Sequence, residues 1–208
     1  MAGFSLVELM LSLSLGLALS GVMLQGLMAE GQNGARFSQL LQERAAQRRT
    51  LALVKGDLAR ATAVSTTPQQ EQHACGLSGR VPVLHLSTSA GPITYSVGRA
   101  PSRIWRGQVL MRCGPAFGLD GGLSVGSQPL NRVVIDGLAS EPSPWRGCSS
   151  QLGVSSGAAV DLGASALQPF SACLDPVSGL MGLRLLQSAG NTGSRNPLEL
   201  SVLASAAR

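Results

Sequence analysis

The residues that could support an enzyme reaction are few and scattered along the chain. Residues 122–126 have the form G-x-S-x-G. In a nucleophile elbow this pattern follows a strand, precedes a helix and needs a histidine later in the chain. Here Gly121 and Gly122 precede the serine, a strand pattern follows it, and the last histidine is His85. We therefore assign the pattern to chance in a chain with 26 glycines, and we predict no enzyme activity.

The side chains that a metal or a cofactor would need are not grouped either. The cysteines lack C-x-x-C spacing, so a zinc site is poorly supported. His73 and His85 are isolated in the sequence, and the aspartates are too dispersed for a calcium loop. No phosphate-binding loop or dinucleotide fingerprint occurs. We predict no metal and no cofactor.

One acidic side chain, Glu8, stands in an unusual setting near the start of a long apolar segment. It is the only ionisable side chain between Phe4 and Ala29, and no charge occurs from Leu9 to Ala29. A membrane-spanning helix needs about 20 mostly apolar residues. A carboxylate near one end of such a span costs on the order of a few kcal/mol, which makes it a candidate for function.

Two ordinary explanations of this segment are incomplete. A secretory signal peptide has a basic start and an apolar region of about 7–15 residues. Here no Lys or Arg precedes the segment and the apolar stretch is longer, although cleavage after Ala18-Leu19-Ser20 would give a mature protein starting at Gly21. An ordinary signal anchor explains the length of the segment but not Glu8.

The residues in front of the segment suggest a third explanation. Gly3-Phe4-Ser5-Leu6-Val7-Glu8-Leu9 resembles the class III prepilin signal of the type IV pilin-like superfamily. This resemblance implies that prepilin peptidase cuts between Gly3 and Phe4 and that Phe4 is then N-methylated. It also implies a role for Glu8 in assembly, because its carboxylate would attract the Phe4 amine of its own or a neighbouring subunit. That attraction is much stronger in a medium of low dielectric constant than in water.

The chain departs from the family pattern at two points. Family leaders carry Lys or Arg before the Gly, whereas only Met1 and Ala2 precede it here, which leaves open a start further upstream. Major pilins have a Pro inside the N-terminal helix, whereas the first Pro here is Pro68. The second departure favours a minor pilin or a pseudopilin.

The helical pattern continues beyond the apolar segment. Apolar residues recur at spacings of three and four, and no proline occurs between Phe4 and Thr67. We predict one helix from Phe4 to about Ala63, ended by residues 64–68. Its apolar stripe consists of Phe37, Leu41, Leu51, Leu58 and Ala61.

The second half of this helix is basic. Between residues 36 and 60 only Glu43 and Asp57 oppose the cationic residues, which are Arg36, Arg44, Arg48, Arg49, Lys55 and Arg60. Such a strip can bind nucleic acid or anionic lipid headgroups. However, charge runs are usually solvated helix faces, and aromatic residues that could stack on single strands are nearly absent. We do not expect a nucleic-acid partner, and a DNA- or surface-binding module is kept as an alternative.

The rest of the chain has the pattern of short strands separated by turns rich in Gly, Ser and Pro. We predict strands at residues 81–87, 92–98, 103–112, 130–138, 179–187 and 198–204. The fold class is therefore α+β, with a long N-terminal α-helix, transmembrane in its first half and amphipathic in its second, packed on a C-terminal antiparallel β-sheet head. The segments are a leader remnant (1–3), a transmembrane or filament-core helix (4–29), an amphipathic periplasmic half (30–63) and a disulfide-stapled head (64–208).

Short segments at the end of the helix and in the head extend the resemblance. Asp57-Leu58-Ala59-Arg60-Ala61, Ile93-Thr94-Tyr95, Ile104-Trp105-Arg106 and residues 132–138 are similar, in the same order, to segments of PilW-type minor pilins and of J-type pseudopilins from type II secretion systems. The resemblance implies a minor pilin, a structural subunit of a type IV pilus that takes part in assembly or priming. A J-type pseudopilin is the alternative.

The resemblance also implies a location and partners. The chain would be a single-pass protein of the inner membrane with a periplasmic head, assembled into a pilus or pseudopilus. Its partners would be prepilin peptidase, other minor pilins or pseudopilins, the inner-membrane assembly platform and the lipid bilayer.

All four cysteines lie beyond the apolar segment, on the side expected to be periplasmic and oxidising: Cys75, Cys113, Cys148 and Cys173. Disulfides are the natural interpretation. Three connectivities are possible, and we prefer the one that joins sequence neighbours, because it closes the shorter loops. Aromatic residues make up only 3% of the chain. Two disulfides, worth about 2–4 kcal/mol each, therefore suit this head.

Overall fold

A single α-helix, α1, extends over Leu6–Ala59. The computed structural model describes residues 5–155, 157–188 and 197–205. The predicted helix is present, but it ends four residues earlier than the expected Ala63. Strand β1 (Ala61–Val64) follows instead. Thr62 and Val64 are β-branched, and the neighbouring strand supplies hydrogen-bonding partners for the backbone, so extended structure is preferred over another helical turn.

The chain divides into two compact units, Met1–Glu43 and Arg44–Arg208. The first unit contains the N-terminal part of α1. In it Phe37 and Leu41 are 63% and 55% exposed. The predicted apolar stripe is therefore buried only from Leu51 onward, because a helix that forms a unit by itself has no second layer against which to pack.

The described part of the second unit contains one nine-stranded antiparallel sheet. Its strands after β1 are β2 (Val81–Thr88), β3 (Ile93–Arg99), β4 (Gln108–Gly114), β5 (Leu130–Leu138), β6 (Val160–Asp161), β7 (Phe170–Leu174), β8 (Leu180–Gln187) and β9 (Leu198–Ser205). Their order is β1-β2-β3-β4-β5-β8-β7-β6, and β9 also pairs with β8. A short helix, α2 (Cys148–Leu152), and two 3-10 turns, Pro68–Gln70 and Leu162–Leu167, complete the unit.

Most of the predicted strands are confirmed. Those at residues 81–87, 92–98, 130–138, 179–187 and 198–204 are found to within one residue at each end. The strand predicted at residues 103–112 was wrong in its first half, since β4 begins at Gln108. Residues 103–107 form a turn that ends at Gly107 with φ of +56°, a conformation that glycine adopts readily.

Besides β1 and the two 3-10 turns, three elements were not predicted from the sequence. Strand β7 has only five residues, and its serine and alanine dilute the apolar pattern. Strand β6 has two residues. Helix α2 has five residues and no side-chain cap at its start, so it lacks both the length and the capping signal of a helix.

The hydrophobic core of the second unit lies between the last turns of α1 and the sheet. Leu51, Val54 and Leu58 recur at spacings of three and four, which places them on one face of the helix, and all three are buried. They belong to one cluster with aliphatic side chains of the strands, among them Leu84, Leu86, Ile93, Leu110, Ile135, Leu183 and Leu185. Burial of each such side chain contributes about 1.5–3 kcal/mol.

Candidate assembly site

Glu8 lies in the first turn of α1 and is exposed. Its backbone amide donates a hydrogen bond to the carbonyl of Ser5 at 3.0 Å. A carboxylate in the first turn of a helix interacts favourably with the helix dipole. Among the described residues, the Glu8 carboxylate has no hydrogen-bonding or ionic partner. Gly3 and Phe4, the predicted processing site, lie outside the described residues.

The segment that follows is apolar and unburied. Leu6–Gln25 is long and apolar enough to cross a membrane, with a mean hydropathy of 1.9 and none of it buried. The hydroxyls of Ser12, Ser14 and Ser20 each donate to a backbone carbonyl three or four residues earlier, at 2.8–3.0 Å. Their hydrogen-bonding needs are thus met within the helix, whereas the Glu8 carboxylate has no partner in the part of the chain that the structure describes.

In the second unit, a buried polar network joins α1 to the sheet. The Asp57 carboxylate accepts a hydrogen bond from the Tyr95 hydroxyl at 2.6 Å, and it accepts two from Arg112, at 2.6 Å from Nε and 3.3 Å from Nη2. Nη1 of Arg112 donates to the Pro115 carbonyl at 3.0 Å. Asp57, Tyr95 and Arg112 are all buried, which fixes the last turns of the helix on β3 and β4.

The electrostatics of this network keep Tyr95 in its neutral form. Burial raises the pKa of Tyr95 well above its ordinary value, and the Asp57 carboxylate adds to that effect. The phenol therefore acts as a permanent hydrogen-bond donor to Asp57. Arg112 also lies over the ring of Phe117, with 4.7 Å between the guanidinium carbon and the ring centroid, a cation–π distance.

Sequence reasoning singled out Asp57 and Tyr95 as parts of family-like segments but did not pair them, and it assigned no role to Arg112. A local signal did exist. Asp57 stands next to Leu58 and three residues after Val54, so a charged residue falls on the apolar face of the helix. A buried charge requires a partner, although the sequence does not say which strand supplies it.

Two disulfides connect elements of the second unit. Cys75 is bonded to Cys113 and Cys148 to Cys173, with Cα–Cα distances of 5.9 and 6.4 Å. This is the connectivity of sequence neighbours. The first bond holds the segment between β1 and β2 against β4, and the second holds α2 against β7.

The two histidines, expected from the sequence to be isolated, lie together. Oγ1 of Thr94 is 2.9 Å from Nδ1 of His85 and 3.2 Å from Nδ1 of His73. The two ring centroids are 5.8 Å apart. Burial lowers the pKa of His85, the charge of Glu71 opposes this effect, and His73 adds to it.

Comparisons with known proteins add no family to this description. No protein-family model, curated protein or solved structure matches the chain. Two of the family-like head segments lie in strands, Ile93-Thr94-Tyr95 in β3 and residues 132–138 in β5. The third, Ile104-Trp105-Arg106, lies in the exposed turn before β4 rather than in a strand.

The G-x-S-x-G segment does not have the geometry of a nucleophile elbow. Leu123 forms an isolated bridge with Phe117 inside a loop, and the Ser124 amide donates to the Ala116 carbonyl at 2.8 Å. The chain then leads to strand β5, and the next described helix is α2, which begins only at Cys148. An elbow needs a helix immediately after the serine.

Part of the basic strip serves folding. Nη1 of Arg44 donates to the Glu199 carbonyl at 2.8 Å, and Nη2 of Arg60 donates to the Gly121 carbonyl at 3.1 Å. Arg48 and Arg49 are exposed. The strip is therefore divided between residues that contact the head and residues that face solvent.

Proposed function

We propose that this protein is a membrane-anchored minor subunit of a type IV pilin-like filament, with Glu8 as its assembly residue. One observation carries the proposal: a carboxylate with no partner among the described residues stands in the first turn of an apolar helix that could cross a membrane. The Gly-Phe-x-x-x-Glu pattern immediately at that helix start supports it.

The physical argument rests on the cost of an unpaired charge. A carboxylate held in the hydrocarbon is penalised by a few kcal/mol. The amine of a processed Phe4, supplied by a neighbouring subunit, would offset that penalty by a Coulomb attraction that increases as the dielectric constant falls. Assembly would therefore remove the free-energy cost of the unpaired Glu8 carboxylate that the isolated subunit has. The serines of the segment provide no such drive, because their hydroxyls are already satisfied.

The test compares Glu8→Ala with Ser12→Ala. The two variants each remove one polar side chain from the same exposed segment, but only Glu8 lacks a partner among the described residues. Glu8→Ala should reach the membrane at least as well as the wild type, because a polar group leaves the lipid. Its incorporation into filaments should fall about tenfold or more, which corresponds to about 1.4 kcal/mol. Ser12→Ala should assemble like the wild type.

The measurement is the ratio of filament-incorporated to membrane-bound protein for each variant. A ratio for Glu8→Ala equal to that of the wild type, at equal membrane abundance, would show that the role given to Glu8 is wrong. An ordinary signal anchor predicts that equality, since it inserts without needing a partner for the carboxylate.

A further inference from the structure

The second unit contains a cavity of about 320 Å³ between α1 and β5. Arg49 and Leu53 line it on the helix side, and Arg132, Val133 and Val134 line it on the strand side, with Phe117 also contributing. A volume of this size is at the lower end of the range for ligand-binding pockets. Apolar walls with a few charged groups are also typical of such pockets.

The charges around the cavity are of one sign. Three guanidinium groups line it, from Arg49, Arg112 and Arg132, and among the described residues no carboxylate does. Arg112 is already paired with Asp57. Arg49 and Arg132 are exposed and have no hydrogen-bonding or ionic partner among the described residues. Two like charges beside apolar walls create a positive potential that favours an anionic group.

A second, independent feature borders the cavity. Strand β5 pairs with β4 along its length, but within the described ranges only Leu138 pairs with a strand other than β4. Residues 132–134, which line the cavity, therefore have a strand edge without a described partner strand. Such an edge offers backbone N–H and C=O groups to an added strand.

From these two features we infer that the cavity binds an extended acidic segment of another polypeptide. One Asp or Glu of that segment, standing between apolar residues, would lie between Arg49 and Arg132, and the backbone of the segment would pair with β5. A free anion would satisfy the guanidinium groups but leave the strand edge and the apolar walls unused. The identification of the partner as a neighbouring filament subunit rests on the proposed function, whereas the binding chemistry does not.

The experiment uses the full chain in detergent and a labelled peptide of about six alternating Val and Glu residues, the length of a typical strand. Its affinity is measured by fluorescence anisotropy and compared with that of a matched Val and Gln peptide. The acidic peptide should bind about tenfold more tightly, and its binding should weaken as salt is added. An acidic peptide methylated on its backbone amides should also bind about tenfold less tightly, because it cannot pair with β5.

The variant Arg49→Gln/Arg132→Gln provides the test on the protein side. Both side chains are exposed, so the fold should tolerate the change, and binding of the acidic peptide should weaken about tenfold. Arg48→Gln is the matched control, because Arg48 is an exposed neighbour of Arg49 that does not line the cavity. It should change the affinity by less than about twofold.

Three results would overturn the inference. The Gln peptide could bind as well as the Glu peptide, or the double variant could bind like the wild type. Inorganic phosphate could also displace the peptide at a concentration equal to that of the unlabelled peptide, which would indicate a small-anion site. None of these results depends on filaments, so a failure here is distinguishable from a failure of the role proposed for Glu8.

Discussion

At the residue scale, one buried ion pair, Arg112 with Asp57, holds the last turns of α1 on the sheet. Asp57 is fully buried and receives hydrogen bonds from Tyr95 and Arg112. The Arg106–Asp136 pair, with 3.7 Å between Nε and Oδ2, is its exposed counterpart, since the Arg106 side chain is 61% exposed. Loss of one partner should destabilise the buried Arg–Asp pair more than the exposed one, because water can hydrogen-bond to the remaining charge only at the surface.

The first prediction concerns this contrast. Asp57→Ala leaves Arg112 buried without its carboxylate, which should lower the free energy of unfolding by about 3–5 kcal/mol. Arg106→Ala removes an exposed partner and should cost less than about 1 kcal/mol. Urea denaturation of both variants checks the prediction. An equal decrease in the free energy of unfolding in the two variants would contradict the prediction.

The second prediction concerns His85. Burial lowers its pKa, so between the folded and unfolded pKa values the unfolded chain binds the proton more readily. The stabilising contribution of the neutral imidazole is complete above the unfolded value of about 6.5 and is lost as the pH falls below it. Asparagine does not titrate, and its amide replaces the imidazole Nδ1 as a hydrogen-bonding partner for Thr94. The melting temperature of His85→Asn should therefore depend less on pH than that of the wild type.

Melting temperatures measured at about pH 7.5 and about pH 5.5 test this expectation. His73 and Glu71 remain in both proteins, so the difference between the two curves reports on His85. An equal decrease in melting temperature for wild type and His85→Asn would show that His85 is not the source of the pH dependence.

At the scale of elements, the disulfides attach irregular segments to the sheet. The segment between β1 and β2 carries Cys75 and contains only one 3-10 turn. Helix α2, which begins at Cys148, is only five residues long. Each is bonded to a strand, β4 or β7. Such links restrict the unfolded chain, and their removal typically costs about 2–5 kcal/mol.

The third prediction, which rests on the proposed location of the second unit outside the membrane, is that the protein isolated without reductant contains no free thiol. Thiol labelling of denatured, unreduced protein should give no signal, and digestion should release one peptide pair joined through Cys75 and Cys113 and another joined through Cys148 and Cys173. Detection of two or more reactive thiols, or of a peptide that joins Cys75 to Cys148, would contradict this disulfide connectivity.

At the scale of the whole molecule, the two units differ in where their large apolar side chains lie. The first presents exposed leucines from Leu6 to Leu24. The second buries its large apolar side chains in one cluster around Leu51, Leu58 and Tyr95. Exposed apolar surface of that extent requires a partner, either lipid or other helices.

The fourth prediction concerns the processing of the first unit. Mass spectrometry of protein extracted from membranes should show a mature N-terminus at N-methylated Phe4. A mature protein that begins at Gly21 would show that an ordinary signal peptidase removed the apolar segment. The proposed function would then be wrong, because Glu8 would be absent from the mature chain.

The sequence by itself determined the local features of this protein. The helix and five strands follow from apolar periodicities that extend over neighbouring residues, and the apolar segment Leu6–Gln25 follows from composition. Local patterns predict less where an element is short or contains small side chains, as in β7. The turn at residues 103–107 was missed because its apolar residues resemble a strand, although Gly107 turns the backbone there.

Only the tertiary structure decided which distant side chains meet. Asp57 is bonded to Arg112, which is 55 positions away in the sequence, and His73 and His85 both lie within hydrogen-bonding distance of Thr94. Arg49 and Arg132 come to line one cavity in the same way. These meetings depend on the register of β2 to β5 and on the position of α1 against them. Strand register arises from the packing of the whole core, which no short stretch of sequence contains.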